Sequence, residues 1–142
     1  MEFLYETQTC RYSWYDDAHT IVLFEIIDKW TWQDAYEGVK RLNQTHFETP
    51  HDTYTIFHFH GKGIMLPKGA SGIPTLKYLM TLNPPNEKLI VVVSQNAMIE
   101  MFLQSISKAY GLAKINMKYR YAKSMEAAVQ LIQAYCAAHP SA

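Results

Sequence analysis

The run Leu89-Ile90-Val91-Val92-Val93-Ser94 constrains the fold of this chain more than any other feature. It is short, uninterrupted and rich in β-branched residues. A strand with one wet face alternates apolar and polar side chains; a run that does not alternate is expected of a strand covered on both faces, the condition of a parallel sheet under helices. Asn83-Pro84-Pro85-Asn86 breaks the chain just before it, so the run reads as a strand with a sharp start. At 142 residues the chain has the length of one domain, since domains commonly run roughly 100–200 residues. It can bury a core without disulfide or metal staples.

The rest of the chain fits around that strand. Thr9–Tyr15 alternates Cys10, Tyr12 and Trp14 against Arg11, Ser13 and Tyr15, the period of a half-buried strand. Asp16-Asp17-Ala18-His19 is a turn, and Thr20–Ile27 is a second strand, which makes an antiparallel hairpin. Thr31 reads as the N-cap of a helix, with Asp34 favouring its positive end. That helix gathers Trp32, Ala35, Tyr36, Val39, Leu42 and His46 on one face. Tyr54–His60 is a strand, and Ser71–Leu82 a helix with Pro74 in its first turn. Asn96 can cap a helix over Ala97–Tyr110 closed by Gly111, and Ile115–Ala122 is the last strand. Ser124 caps a final helix whose apolar face carries Met125, Ala128, Val129, Ile132, Tyr135 and Cys136. The expectation is one α/β domain over residues 1–142. Its order is ββαβαβαβα, a single mixed, mostly parallel sheet with an N-terminal hairpin and four helices.

Composition narrows the function classes. Thirteen Lys and Arg balance thirteen Asp and Glu, so the chain lacks the basic excess of a nucleic-acid binder. The balance is uneven along the chain: residues 1–60 hold ten acids and four bases, residues 61–142 three acids and nine bases. Five of the six histidines also lie in the acidic part, whose charge rises as they protonate. Such a dipolar domain can pair head-to-tail with itself or offer a basic loop to an acidic partner. No apolar stretch approaches the ~20 residues of a membrane helix, and the N-terminus lacks a signal-peptide pattern. Two cysteines, Cys10 and Cys136, can form one bridge but fit a reducing compartment equally well. A cytoplasmic protein without membrane insertion is expected.

The closing segment Tyr119–Ala122, then Lys123, Ser124-Met125-Glu126-Ala127-Ala128, resembles the strand–Ser-x-Glu-Ala-Ala–helix ending of the STAS domain. That is the fold of bacterial anti-sigma-factor antagonists and of the cytoplasmic tails of sulfate transporters. The opening hairpin and the order of elements resemble it too, over nearly the whole chain. The resemblance implies a non-enzymatic regulatory domain that works by protein–protein contact. In the antagonists a serine at a helix N-terminus is phosphorylated to switch partner binding. Ser71-Gly72-Ile73 can be laid on that Ser-Gly-Leu segment, although Gly69-Ala70 stand where the family has an acid before the serine. His58-Phe59-His60 stand where its strand ends in an acid, so any switch here is a degenerate one.

Three groups of residues are candidates for function. The loop after the third expected strand holds Gly61, Gly63, Gly69 and Gly72, four of the six glycines. In open α/β sheets ligands bind beyond the C-terminal ends of strands, where this loop belongs. Ser71, Gly72 and Gly69 with Lys68 and Lys62 would make an anion or phosphoryl site; equally, Ser71 is an N-cap and the glycines permit a tight path. His58 and His60 share a strand face and, with Gly61, would line a pocket for a metal or for acid–base work, or else pack as hydrogen-bonded histidines. No third ligand is nominated by spacing, with His46 and His51 only possibilities, so no metal, cofactor or catalytic residue is assigned. Met98, Ile99, Phe102 and Leu103 lie on a helix apolar nearly all round, which suits either a deep core or a partner surface. Trp30-Thr31-Trp32 offers the same choice between a hydrophobic staple and an exposed aromatic.

Overall fold

The alternation in the first strands fixes which side chains face which way, and the hairpin turn fixes their register. In the computed structural model, which describes residues 3–27, 29–60, 84–109 and 118–139 together with Pro74 and Tyr78, Cys10–Trp14 (β2) pairs antiparallel with Ile21–Ile26 (β3). The turn between them is tied by Asp16, whose carboxylate accepts from the backbone N–H of Thr20 and of Ile21, both at 2.9 Å, and from the Thr20 hydroxyl. His19 closes it in the left-handed region at φ 56°, its ring stacked on Trp14. A two-residue strand, Tyr5–Glu6 (β1), joins the outer edge of β2. The sequence reading did not foresee it, because two residues carry no period; only the pairing with Tyr12 and Arg11 makes them a strand.

Thr53–Phe59 (β4), Glu87–Val93 (β5) and Tyr119–Ala122 (β6) then add in parallel. The six strands lie in the order β1-β2-β3-β4-β5-β6. The expected mixed, mostly parallel α/β sheet is present, with six strands rather than five. Three helices are described: Trp32–Glu48 (α1), Ala97–Ala109 (α2) and Met125–Ala138 (α3). The helix expected over Ser71–Leu82 falls outside the described residues except for Pro74 and Tyr78; both are helical, and Tyr78 stacks on Tyr36 of α1. Gly111, the expected stop of α2, lies outside them as well.

The strand β5 has the two buried faces that its sequence demands, with Leu89 through Val93 all buried. On one side of the sheet Cys10, Tyr12, Val22, Phe24 and Ile26 pack with Leu42 of α1. On the other, Leu23, Tyr54, Ile56, Leu89, Val91 and Val93 pack with Ala128 and Ile132 of α3. Each described helix is started by the residue expected. Thr31 and Asp34 form a reciprocal capping box at α1, and Ser124 accepts from the Ala127 N–H at 3.1 Å. Trp30 packs edge-on against Trp32 and beside Phe59, and Trp32 is buried. One expected core residue is displaced: Cys136 is exposed at the end of α3, and Leu131 packs inward instead. Cys10 and Cys136 are both free and belong to opposite sides of the sheet, so they do not bridge.

Candidate functional site

A glutamate inside the apolar strand Ile21–Ile26 is the local anomaly from which the site is built. Residues 21, 23 and 25 of β3 share the sheet face that α3 covers, and at position 25 an aliphatic side chain gives way to Glu25. The hairpin register sets Arg11 directly across from Glu25 on β2, and the parallel register sets His58 directly across on β4. His60, two residues beyond His58, falls on the same face; its backbone N–H continues the ladder by donating to Ile26 O at 3.0 Å. Three strands thus deliver four ionisable side chains to one patch at the C-terminal ends of β3 and β4.

The patch is bonded together. Glu25 is buried; its Oε2 accepts from Arg11 Nε at 2.9 Å, and its Oε1 lies 2.9 Å from His60 Nε2. The rings of His58 and His60 are 4.2 Å apart between centroids, both half-buried. Burial alone would raise the Glu25 carboxyl, but the hydrogen bonds from Arg11 and His60 outweigh it and hold it below its ordinary range. Burial first, and the charge of His60 second, push His58 down toward the neutral imidazole. The patch therefore offers a charged carboxylate, a fixed guanidinium and two imidazoles, a set able to bind an ion or to exchange a proton with a ligand.

The sequence pair His58 and His60 is brought together as expected, while the two residues that complete it, Arg11 and Glu25, went unforeseen. The signal of Glu25 was present as a charge within an otherwise apolar strand, whereas Arg11 reads as one polar residue of an alternating strand; the strand order that makes both neighbours of the histidines was not legible. Neither histidine considered as a third member is near. His51 meets His19 O at 2.9 Å in the hairpin turn. His46 is fully buried at the opposite end of β4, its ring nitrogens 2.7 Å from Thr53 Oγ1 and 2.8 Å from Thr55 Oγ1. There it also meets Glu87, which Lys118 approaches from the start of β6.

Apart from the patch, the described residues line further cavities. One of about 300 Å³ lies beyond the C-terminal ends of β5 and β6, lined by Ser94, Asn96, Glu100, Tyr121 and Lys123. The Tyr121 hydroxyl is buried without a hydrogen-bond partner, and burial with the nearby Glu100 charge pushes it up to about 12. Another, of about 360 Å³, lies between the hairpin turn and the end of α3, lined by Thr20, His51, Asp52, Tyr54 and Cys136.

Of the remaining expected site residues, Gly61, Lys62, Lys68, Gly69, Ser71 and Gly72 lie outside the described residues. On α2, Met98 is 62% exposed and Met101 64%, but Ile99 is only 1% exposed. Ile99 is thus removed from the expected partner face. Successive helix residues are about 100° apart, so 98 and 99 cannot both face outward fully. The Phe102 and Leu103 side chains are outside the described ones. Among the described residues no helix is long and apolar enough to cross a membrane. Comparison of the chain with protein-family models, with curated proteins and with solved structures found no match.

Proposed function

We propose that this chain is a non-enzymatic regulatory domain of STAS-like build that takes a small ligand at the C-terminal edge of its parallel strands. The hairpin, the parallel strands and the Ser124-capped closing helix are the features in keeping with that build. The observation that carries the ligand reading is the convergence of Arg11, Glu25, His58 and His60 from three strands onto one half-open patch. The core has no need of them: the aliphatic residues further back on the same face are buried without polar help. Burying part of four ionisable groups is unfavourable unless they are paired, and paired groups left half-open at a strand end are the usual makings of a binding site. The glycine-rich segment 61–72 follows His60 directly in the chain.

The test is thermal unfolding against a panel of phosphate, small carboxylates and divalent cations, run on the natural chain and on Arg11→Met and His60→Ala. At least one member of the panel raises the unfolding temperature of the natural chain, and the shift disappears in one or both variants. A shift that both variants retain, or no shift at all, overturns the reading.

A second reading rests on Met98 and Met101. Two long, adaptable apolar side chains stand three residues apart on the outer side of α2, and surfaces of that kind suit protein contact. Replacing both with Gln would weaken partner binding or self-association, seen by sedimentation, while leaving stability within about 0.5 kcal/mol. Unchanged association in the doubly substituted chain would remove α2 from consideration.

A further inference from the structure

We propose that Glu25, His58 and His60 form a binding site for a divalent transition-metal ion, with Arg11 as the residue that positions the carboxylate. The inference rests on the ligand reading above and names the ligand class of that site.

Geometry is the first argument. One ligand atom from each of the three side chains lies within 4.8 Å of the other two. Ligand atoms held about 2.0–2.2 Å from a tetrahedral ion are roughly 3.3–3.6 Å apart, so no pair has to close by more than about 1.5 Å, and the His60–Glu25 pair, now 2.9 Å apart, has to open by about half an ångström. His58 lies in β4 and His60 one residue beyond its end, on the same side, where its N–H bond to Ile26 O at 3.0 Å keeps it on the sheet. The third, Glu25, is fixed by its register opposite His58. Two of the three ligands thus stand on paired strands and the third on the residue that continues their ladder, which preorganises the site.

The second argument is the donor set. Two imidazoles and one carboxylate with a further position open are a combination used for zinc and for iron(II), and nitrogen-rich sets discriminate against magnesium and calcium. The ion takes the place of the proton now shared between His60 Nε2 and Glu25 Oε1, which are 2.9 Å apart. Arg11 holds the other carboxylate oxygen at 2.9 Å and so aims Oε1 inward. Its charge repels the ion, which sets the affinity below that of a closed structural site and leaves the open position attractive to an anion.

Titration of the natural chain with Zn²⁺ by calorimetry, and with Co²⁺ by visible absorption, tests the site. The expected result is one ion per chain at this site, ligand-field absorption from Co²⁺, and no binding of Mg²⁺. His60→Ala, at a half-exposed position, weakens Zn²⁺ binding by about tenfold or more; Arg11→Met weakens it by about 10–100-fold, the loss of carboxylate placement outweighing the relief of charge repulsion. His51→Ala and His139→Ala, remote from the patch, leave it unchanged. Should Glu25→Gln fail to fold, His58→Gln serves in its place. Zn²⁺ binding that survives His60→Ala and His58→Gln, or is absent from the natural chain, overturns the metal site. If an anion of the panel still stabilises the chain through Arg11 or His60 in that case, the ligand reading stands without the metal. If nothing does, both fall.

Discussion

At the scale of single residues, charged side chains decide more than their number suggests, and the buried group around Glu87 shows why. Glu87 accepts from Thr55 Oγ1 at 2.6 Å, lies 3.0 Å from His46 Nε2 and 3.3 Å from Lys118 Nζ, and is almost wholly enclosed. Burial would raise its carboxyl, yet His46, Lys118 and Thr55 together hold it below the ordinary 4.5. Removing one partner of such a group strands the others in a low-dielectric interior. Glu87→Gln is therefore expected to lose about 3–5 kcal/mol at neutral pH, measured by urea unfolding. The sign of the pH effect follows from the depressed folded-state value: the stabilisation is complete above 4.5 and is lost as pH falls through the lower folded value. The natural chain should lose stability steeply below about pH 4.5, and Glu87→Gln should flatten that part of the curve. Equal slopes in the two proteins would assign the acid sensitivity elsewhere. None of this was legible beforehand, because His46 reads as one more residue on an apolar helix face, and Glu87 as a polar residue before a strand.

Elements were legible wherever a local rule acts alone. Thr31, Asn96 and Ser124 start their helices because an N-cap oxygen needs only the next few backbone N–H groups, and each was visible in the sequence. What escaped was whatever a second element supplies: the strand β1, the outward turn of Cys136, the inward turn of Ile99. Gly38 belongs to the same class. It sits mid-helix in α1, where glycine is unfavourable by about 1 kcal/mol relative to alanine, and nothing local asks for it. The reason lies across the interface, where a Cβ at position 38 would come 2.7 Å from Phe24 Cζ. Phe24 cannot easily retreat, being stacked on Tyr12 and tilted against Phe57 with centroid distances of 5.9 and 5.2 Å. Overpacking a core costs about 1–3 kcal/mol, so Gly38→Ala should be net destabilising by about 1 kcal/mol despite the better helix former. A stabilised variant would mean that α1 can lift from the sheet at little cost.

For the whole molecule, the sheet separates two cores that share strands but not side chains. Ile26 packs on the α1 side and Ile132 on the α3 side. Each Ile→Val substitution should lose about 0.5–1.5 kcal/mol, and the double variant should lose their sum to within about 0.5 kcal/mol. A larger coupling, read from denaturant midpoints, would show the sheet transmitting strain from one helix layer to the other. The same separation marks what each level of description decided. Length, the periods of two and 3.6, the non-alternating run Leu89–Val93 and the cap residues determined an α/β domain with parallel central strands, because those signals arise from each segment's own geometry and its need to bury one or two faces. The pair His58 and His60 was likewise visible, since a strand's pleat is local. Only the tertiary structure decided that Arg11 and Glu25, 47 and 33 positions earlier in the chain than His58, stand in line with it across β2, β3 and β4. Strand order and register come from the burial of all faces at once, so no single segment contains them.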